Sequence, residues 1–121
     1  MANKKGNTIN LDTASRLDII CRRGDTFNLV LDFGKSMATS GWTMEVREHD
    51  TSTGPAFLSN FTFSVTDGAA PNSKLTIQAA SSTMDVQSGL YVYDLQLNAN
   101  STVKTYLYGT FKINEDVTIN A

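Results

Sequence analysis

The chain is poor in the residues that most reactions require. It has one cysteine, one histidine and two prolines in 121 residues. With Cys21 alone, no intrachain disulfide can form and a thiolate-built zinc site lacks its ligands. Cys21 falls on a predicted strand, where a small packed side chain is the plainer reading than a nucleophile. Histidine appears once, as His49 at a predicted strand–loop edge, which excludes a multi-histidine metal site and sets aside a Ser–His–Asp triad. Nothing supports pairing Cys21 with His49 as nucleophile and base. The twelve carboxylates are scattered, without the spacing of a calcium loop. Glycines are isolated and form no phosphate-binding pattern. Charge is also sparse, at 18% of residues, with a net charge of −2. No basic field is present to draw in nucleic acid. The basic residues near the start (Lys4, Lys5, Arg16, Arg22, Arg23) are partly offset by Asp12 and Asp18. No run approaches the roughly 20 apolar residues that span a membrane. Lys4 and Lys5 are not followed by the apolar stretch of a signal peptide. These absences lead us to expect a non-enzymatic protein made in a reducing cytoplasm, with no cofactor, no metal, no nucleic-acid or membrane partner and no small-molecule substrate.

What the chain does have is alternation. Gly89 to Leu97 follows a Gln87-Ser88-Gly89 turn and places Tyr91, Tyr93, Leu95 and Leu97 on one face and Val92, Asp94 and Gln96 on the other. A strand this apolar on one side needs a second sheet to cover it. The same pattern marks Thr26–Phe33, with Phe27, Leu29, Leu31 and Phe33 together, and Gly41–Glu48, with Trp42, Met44 and Val46 inward and Glu45 and Arg47 outward. Weaker or shorter strands are predicted at Leu17–Arg22, Phe57–Val65 and Lys74–Ala79, and a long one over Val103–Ile113. Turn formers separate them. Arg23-Gly24-Asp25 spells an integrin-binding tripeptide but reads as a turn in which glycine tolerates unusual dihedrals. Ser82-Thr83-Met84-Asp85 suits a single helical turn. Seven strands at this rhythm predict an all-β fold: an antiparallel, immunoglobulin-like β-sandwich, with a small barrel as the competing closure.

The expected core comprises Phe27, Leu29, Leu31, Trp42, Met44, Val46, Phe61, Phe63, Leu75, Ile77, Tyr91, Tyr93, Leu95, Leu107, Phe111 and Ile113. Tyr91 sits just after a corner before a late strand, the place of the tyrosine corner in sandwich domains, whose hydroxyl bonds back to upstream backbone. Residues 1–15 lack periodicity and read as a flexible N-terminal arm; residues 16–121 read as the single domain. Lys4, Lys5, Ile9 and Leu11 are the arm's candidate contact residues. In the last strand, Tyr106 and Tyr108 are expected to face outward beside Lys104 and Lys112. They are candidates for a contact surface, because tyrosine is enriched at interfaces. Ordinary cross-strand packing on an open sheet face is the alternative.

Several short motifs, in order, carry a resemblance. They are Arg23-Gly24-Asp25-Thr26-Phe27, Gly41-Trp42-Thr43-Met44-Glu45-Val46-Arg47, Ser82-Thr83-Met84, Gly89-Leu90-Tyr91-Val92-Tyr93-Asp94-Leu95 and Gly109-Thr110-Phe111-Lys112-Ile113, followed by Asp116-Val117-Thr118. Over about residues 16–119 the chain resembles the small β-sandwich module of tailed-bacteriophage virion proteins, of which the N-terminal domain of baseplate upper proteins is one example. The resemblance implies an assembly role in the virion without catalysis, and partners among the major capsid protein, tail or baseplate subunits, or further copies of itself. A lone module with a basic arm looks most like an auxiliary (decoration) protein of the head shell. A baseplate, tail or neck component is the alternative, as is a carbohydrate-binding module for host attachment using Trp42, Tyr106 and Tyr108.

Overall fold

The computed structural model describes residues 12–49, 54, 56–66 and 73–117. Among the described residues there are eight strands: β1 Ser15–Arg16, β2 Ile19–Arg22, β3 Phe27–Asp32, β4 Trp42–Arg47, β5 Thr62–Thr66, β6 Lys74–Ala79, β7 Gly89–Ala99 and β8 Thr102–Asn114. They form two sheets. One runs β3-β6-β5; the other runs β4-β7-β8, with β1 and β2 both on the far edge of β8. The alternating burial along β4 and β6 and along most of β7 shows each sheet turning one face to a shared interior. This is an immunoglobulin-like β-sandwich, with the strand grouping of that fold.

Local chemistry explains the joints. The β7–β8 hairpin closes on Asn100 and Ser101, both at positive φ (53° and 63°). A two-residue loop needs that handedness to match the twist of its strands. Gly24, at φ 81°, makes the turn between β2 and β3, as expected for the Arg23-Gly24-Asp25 segment. Arg23 is tied into the fold there, 3.0 Å from Asp85 and 3.3 Å from Glu115. The predicted helical turn is present as a single turn that starts at Ala80, whose carbonyl accepts from Thr83 N and Met84 N. Tyr91 Oη donates to Gln87 O at 2.8 Å, so the corner tyrosine is as expected. Two residues on, antibody domains carry a cysteine; here that place holds Tyr93.

The core follows the inward faces, and Phe111 is at its centre. Its ring lies 5.6 Å from Phe27, 6.5 Å from Phe61 and 6.1 Å from Tyr93, linking the two sheets. Of the expected core, Leu29, Leu31 and Phe63 are only partly buried, because they stand on β3 and β5, the two edge strands of the three-stranded sheet. Ile19, Met37, Leu58, Ala79 and Met84 join the core unforeseen; Met37 and Met84 belong to connections, where no period marks them.

Three expectations need correction. The sandwich is not wholly antiparallel: β1 and β2 run parallel to β8, since the chain enters beside the strand that will end it. The predicted first strand, Leu17–Arg22, begins only at Ile19, and a separate short strand, β1, precedes it at Ser15–Arg16, where Ser15 was expected in the arm; this raises the count from seven to eight among the described residues. Phe57–Val65 is not one strand. Leu58 bridges Val46 in the five-stranded sheet, whereas β5 begins at Thr62 in the other, so the chain changes sheets between them.

Gly109 shows why the joint between β1 and β2 falls where it does. A Cβ at this position would stand 2.5 Å from Leu17 O and 2.8 Å from Asp18 Oδ1. Only glycine lets the β1–β2 joint come this close. Tyr93 is its register partner on β7 and reaches Leu17 O with its hydroxyl at 2.5 Å. Burial, and then Asp18 nearby, push the Tyr93 phenol up to about 12. Asp18 in turn accepts from Thr110 N at 3.0 Å, and that bond chiefly holds its carboxyl below the usual value.

Candidate interaction surface

The outward face of the five-stranded sheet carries most of the unspent chemistry. Strand register builds it in rows. Glu45 on β4 lies opposite Asp94 on β7, Asp94 opposite Tyr108 on β8, and Tyr108 opposite Arg16 on β1. One row along, Arg47, Val92 and Thr110 stand in line, and beyond them Leu90, Lys112 and Ile20. On the other side Thr43 faces Gln96. The first two rows and the Thr43–Gln96 pair line an open groove of about 670 Å³, with His49 at its rim; the Leu90–Lys112–Ile20 row lies outside it.

Two features of this face stand out physically. The first is a like-charge pair directly across two strands, an arrangement that ordinarily destabilises a sheet. Glu45 is satisfied by Arg47 at 2.9 Å. Among the described residues no ion pair reaches Asp94, whose side chain accepts only from Gln96 Nε2 at 3.4 Å. Partial burial, and then the neighbouring Glu45, hold the Asp94 carboxyl above its ordinary value, against the hydrogen bond from Gln96 and the pull of Arg47. The second is apolar exposure. Ile20 and Leu90 are 68% and 65% exposed on either side of Lys112.

The expected contact residues fare unequally. Tyr108 faces outward, 39% exposed, in the Asp94 row. Tyr106 does not, and this corrects the expectation. A β-bulge pairs Leu95 with Leu107 and Gln96 with Thr105, leaving Tyr106 as the extra residue. A bulge re-aims its side chain. Tyr106 packs edge-on against Phe33 at 5.3 Å and Trp42 at 5.1 Å, at one end of the core. Lys35 and Lys104 lie 5.2 and 4.9 Å over its ring. Trp42 is buried, its indole N–H donating to Ala38 O at 2.8 Å. Trp42, Tyr106 and Tyr108 therefore share no platform. Lys4, Lys5, Ile9 and Leu11 lie outside the described residues.

Cys21 and His49 do not meet as a catalytic pair. His49 is exposed beyond β4. Cys21 is half-buried on β2, its thiol 3.6 Å from Lys112 O, and burial together with Asp25 pushes it up to about 11. Such a thiol is a poor nucleophile near neutrality. Among the described residues no group of three or more His, Cys, Asp or Glu side chains could hold a metal ion. No helix among them is long and apolar enough to cross a membrane.

The sequence reading missed the Glu45–Asp94 pair and the Ile20–Lys112–Leu90 row. The signal was present in part: Glu45 and Asp94 each alternate outward. Which strands are neighbours, and in what register, is what brings them together.

No family model and no curated protein matches the chain. Similar solved structures include CopC from Methylosinus trichosporium OB3b, at 13% identity over 88% of this chain and 91% of that one, with a TM-score of 0.48. InlP from Listeria monocytogenes is similar at 16% identity over 84% of this chain and 28% of that one, with a TM-score of 0.45. The BTLA ectodomain is similar at 13% identity over 90% and 95%, with a TM-score of 0.42. At these values the sheet topology and the tyrosine corner, not the likenesses, establish the immunoglobulin-like sandwich.

Proposed function

We propose that this protein is a non-enzymatic virion structural protein of a tailed bacteriophage, an auxiliary (decoration) protein that binds the assembled head shell. The observation that carries the assembly role is the outward face of the five-stranded sheet. There Ile20 and Leu90, about two-thirds exposed, border Lys112, one row beyond those that line the groove. An apolar row rimmed by polar side chains is the composition of a protein contact. The phage context rests on the resemblance of the strand motifs to virion sandwich modules. A baseplate, tail or neck position is the second reading, supported by that same resemblance. The glycan-binding alternative needs aromatic rings on one face, and Trp42 and Tyr106 are turned into the fold.

The test is quantitative. Mass spectrometry of purified particles should find the chain in the stoichiometry of shell subunits; a few copies per particle favours the tail, and absence from particles overturns the proposal. Leu90→Glu, a change at an exposed position, should leave the fold intact and remove particle binding. Deletion of residues 2–11, which spares Ser15 in β1, should do the same if the arm is a second contact.

A further inference from the structure

We propose that the groove seats a lysine side chain from the Lys4–Lys5 segment of a second copy of this chain, its ammonium lying between the Asp94 carboxylate and the Tyr108 ring. This deepens the assembly reading above by naming one contact.

The groove has the acceptor for such a group. Asp94 and Tyr108 are register partners on β7 and β8, so their Cβ atoms lie within about 4.5–5.5 Å of each other on one face. A carboxylate beside a partly exposed ring suits an alkylammonium, which takes a charge-assisted hydrogen bond from one and a cation–π contact from the other. The charge is not already neutralised. Arg47 is paired with Glu45 and pulls on Asp94 without an ion pair, and Arg16 is paired with Asp18, so among the described residues no ion pair holds Asp94. The volume of about 670 Å³ admits a long side chain with part of its backbone.

The sequence has the donor. Residues 1–11 contain Lys4 and Lys5 and no acidic residue; the first acid is Asp12. Among the other lysines, Lys35 and Lys104 lie over Tyr106, and Lys74 pairs with Asp32 at 3.7 Å. Lys5 stands eleven residues before Arg16, a span of up to about 40 Å when extended. A domain of this size is about 35 Å across, so the segment reaches a neighbour. Reading β1 back from Arg16 toward Ser15 follows β8 from Tyr108 toward Leu107, away from the Asp94 row and toward the hairpin tip. To meet its own Asp94 a copy's chain must double back from this heading; a neighbour's need not.

Sedimentation of the full-length chain tests this. The wild type should self-associate, and less so as salt rises. Lys4→Glu/Lys5→Glu and Asp94→Lys should each weaken association at least tenfold. Mixing those two variants should restore it, because one supplies an intact groove and the other an intact segment. Asp94→Asn should weaken association with its circular dichroism unchanged, which separates loss of the acceptor from loss of the fold. Carbodiimide should join Lys4 or Lys5 to Asp94 or Glu45 between isotopically distinct copies. A wild type still monomeric at about 1 mM, the weak end of specific affinity, overturns the proposal. So does full association of the Asp94→Asn chain, a mixture that fails to associate, or cross-links confined to single chains. A chain that decorates particles yet stays monomeric refutes the groove contact alone; one that pairs through the groove and is missing from virions refutes the virion reading alone.

Discussion

The outward faces of the two sheets are built from the same alternation and end up chemically unlike. On the three-stranded sheet the rows read Asn28, Gln78 and Thr62; Val30, Thr76 and Ser64; Asp32, Lys74 and Thr66. These are mostly uncharged side chains, and the one ion pair among the described residues there, Lys74 with Asp32, is internal to its row. On the five-stranded sheet, like charges face each other, an apolar pair is left in solvent and a bulge interrupts β8. The first face satisfies its charges and leaves one aliphatic side chain, Val30, half exposed. The second carries features that stability does not explain, and local rule-breaking of that kind concentrates where a protein meets something else. The comparison assigns structure to one face and contact to the other, and it can be broken by mutation.

The largest effect should come from the residue that both sheets share. Phe111 is fully buried and its ring approaches Phe27, Phe61 and Tyr93. Phe111→Ala should cost about 3–5 kcal/mol in urea unfolding, much of the roughly 5–15 kcal/mol such a domain has. Both faces should be lost together in a single transition. If the three-stranded sheet survives with β7–β8 disordered, the faces belong to separable units and the comparison must be redrawn.

Gly109→Ala should have a smaller and one-sided effect. The new methyl group meets the Leu17 carbonyl at 2.5 Å and the Asp18 carboxylate at 2.8 Å, both at the β1–β2 joint. Displacing that joint also strains the Tyr93 hydroxyl bond to Leu17 O. The expected loss is about 1–3 kcal/mol. Hydrogen exchange should quicken in β1 and β2 and at the amides of Leu17 and Thr110, and remain unchanged in β3, β5 and β6. Uniform loss of protection would show that the strands at the β8 edge are not a local attachment.

These cases also show what could be read from the residues alone. Alternation in Trp42–Arg47 and in the segment beginning at Gly89 reports burial directly, so the inward faces, the corner tyrosine and the turn at Gly24 were legible. Each depends on residues close in sequence. Pairing is not local. Nothing near Ser15 or Ile19 announces that they run parallel to Leu107 and Phe111, some ninety positions away. Tyr106 failed for a related reason. A period of two carries an assignment down a strand until one extra residue inverts it, and the bulge between Leu95 and Gln96 has no marker on either strand. The Glu45–Asp94 pair was half legible: each residue was placed outward, but their adjacency is a product of register.

Asp94→Asn tests the smallest term and the one closest to function. In the folded chain the Asp94 carboxyl is held above 3.8, by partial burial first and Glu45 second. A carboxyl whose folded pKa is raised is destabilising when ionised. That penalty is present in full above the folded pKa, fades as the pH falls through it and is gone below the unfolded value, where both states are protonated. Asparagine carries no charge at any pH and still accepts from Gln96. At neutral pH the variant should therefore be more stable by about 0.2–1 kcal/mol, the usual scale of a facing like-charge pair, and its advantage should shrink toward zero as the pH approaches 3.8. Other groups titrate in both chains and cancel in the difference. Ser64→Ala, on the exposed face of the three-stranded sheet, should stay within about 0.5 kcal/mol of the parent at every pH. An Asp94→Asn advantage that is absent at neutral pH, or that persists unchanged in acid, would mean that Asp94 is not held against its charge. The difference between the two faces would then reduce to apolar exposure at Ile20 and Leu90. If the advantage has the expected sign and pH dependence, the folded chain keeps at Asp94 a charge that works against its own stability, and an incoming ammonium would turn that charge into an attractive contact.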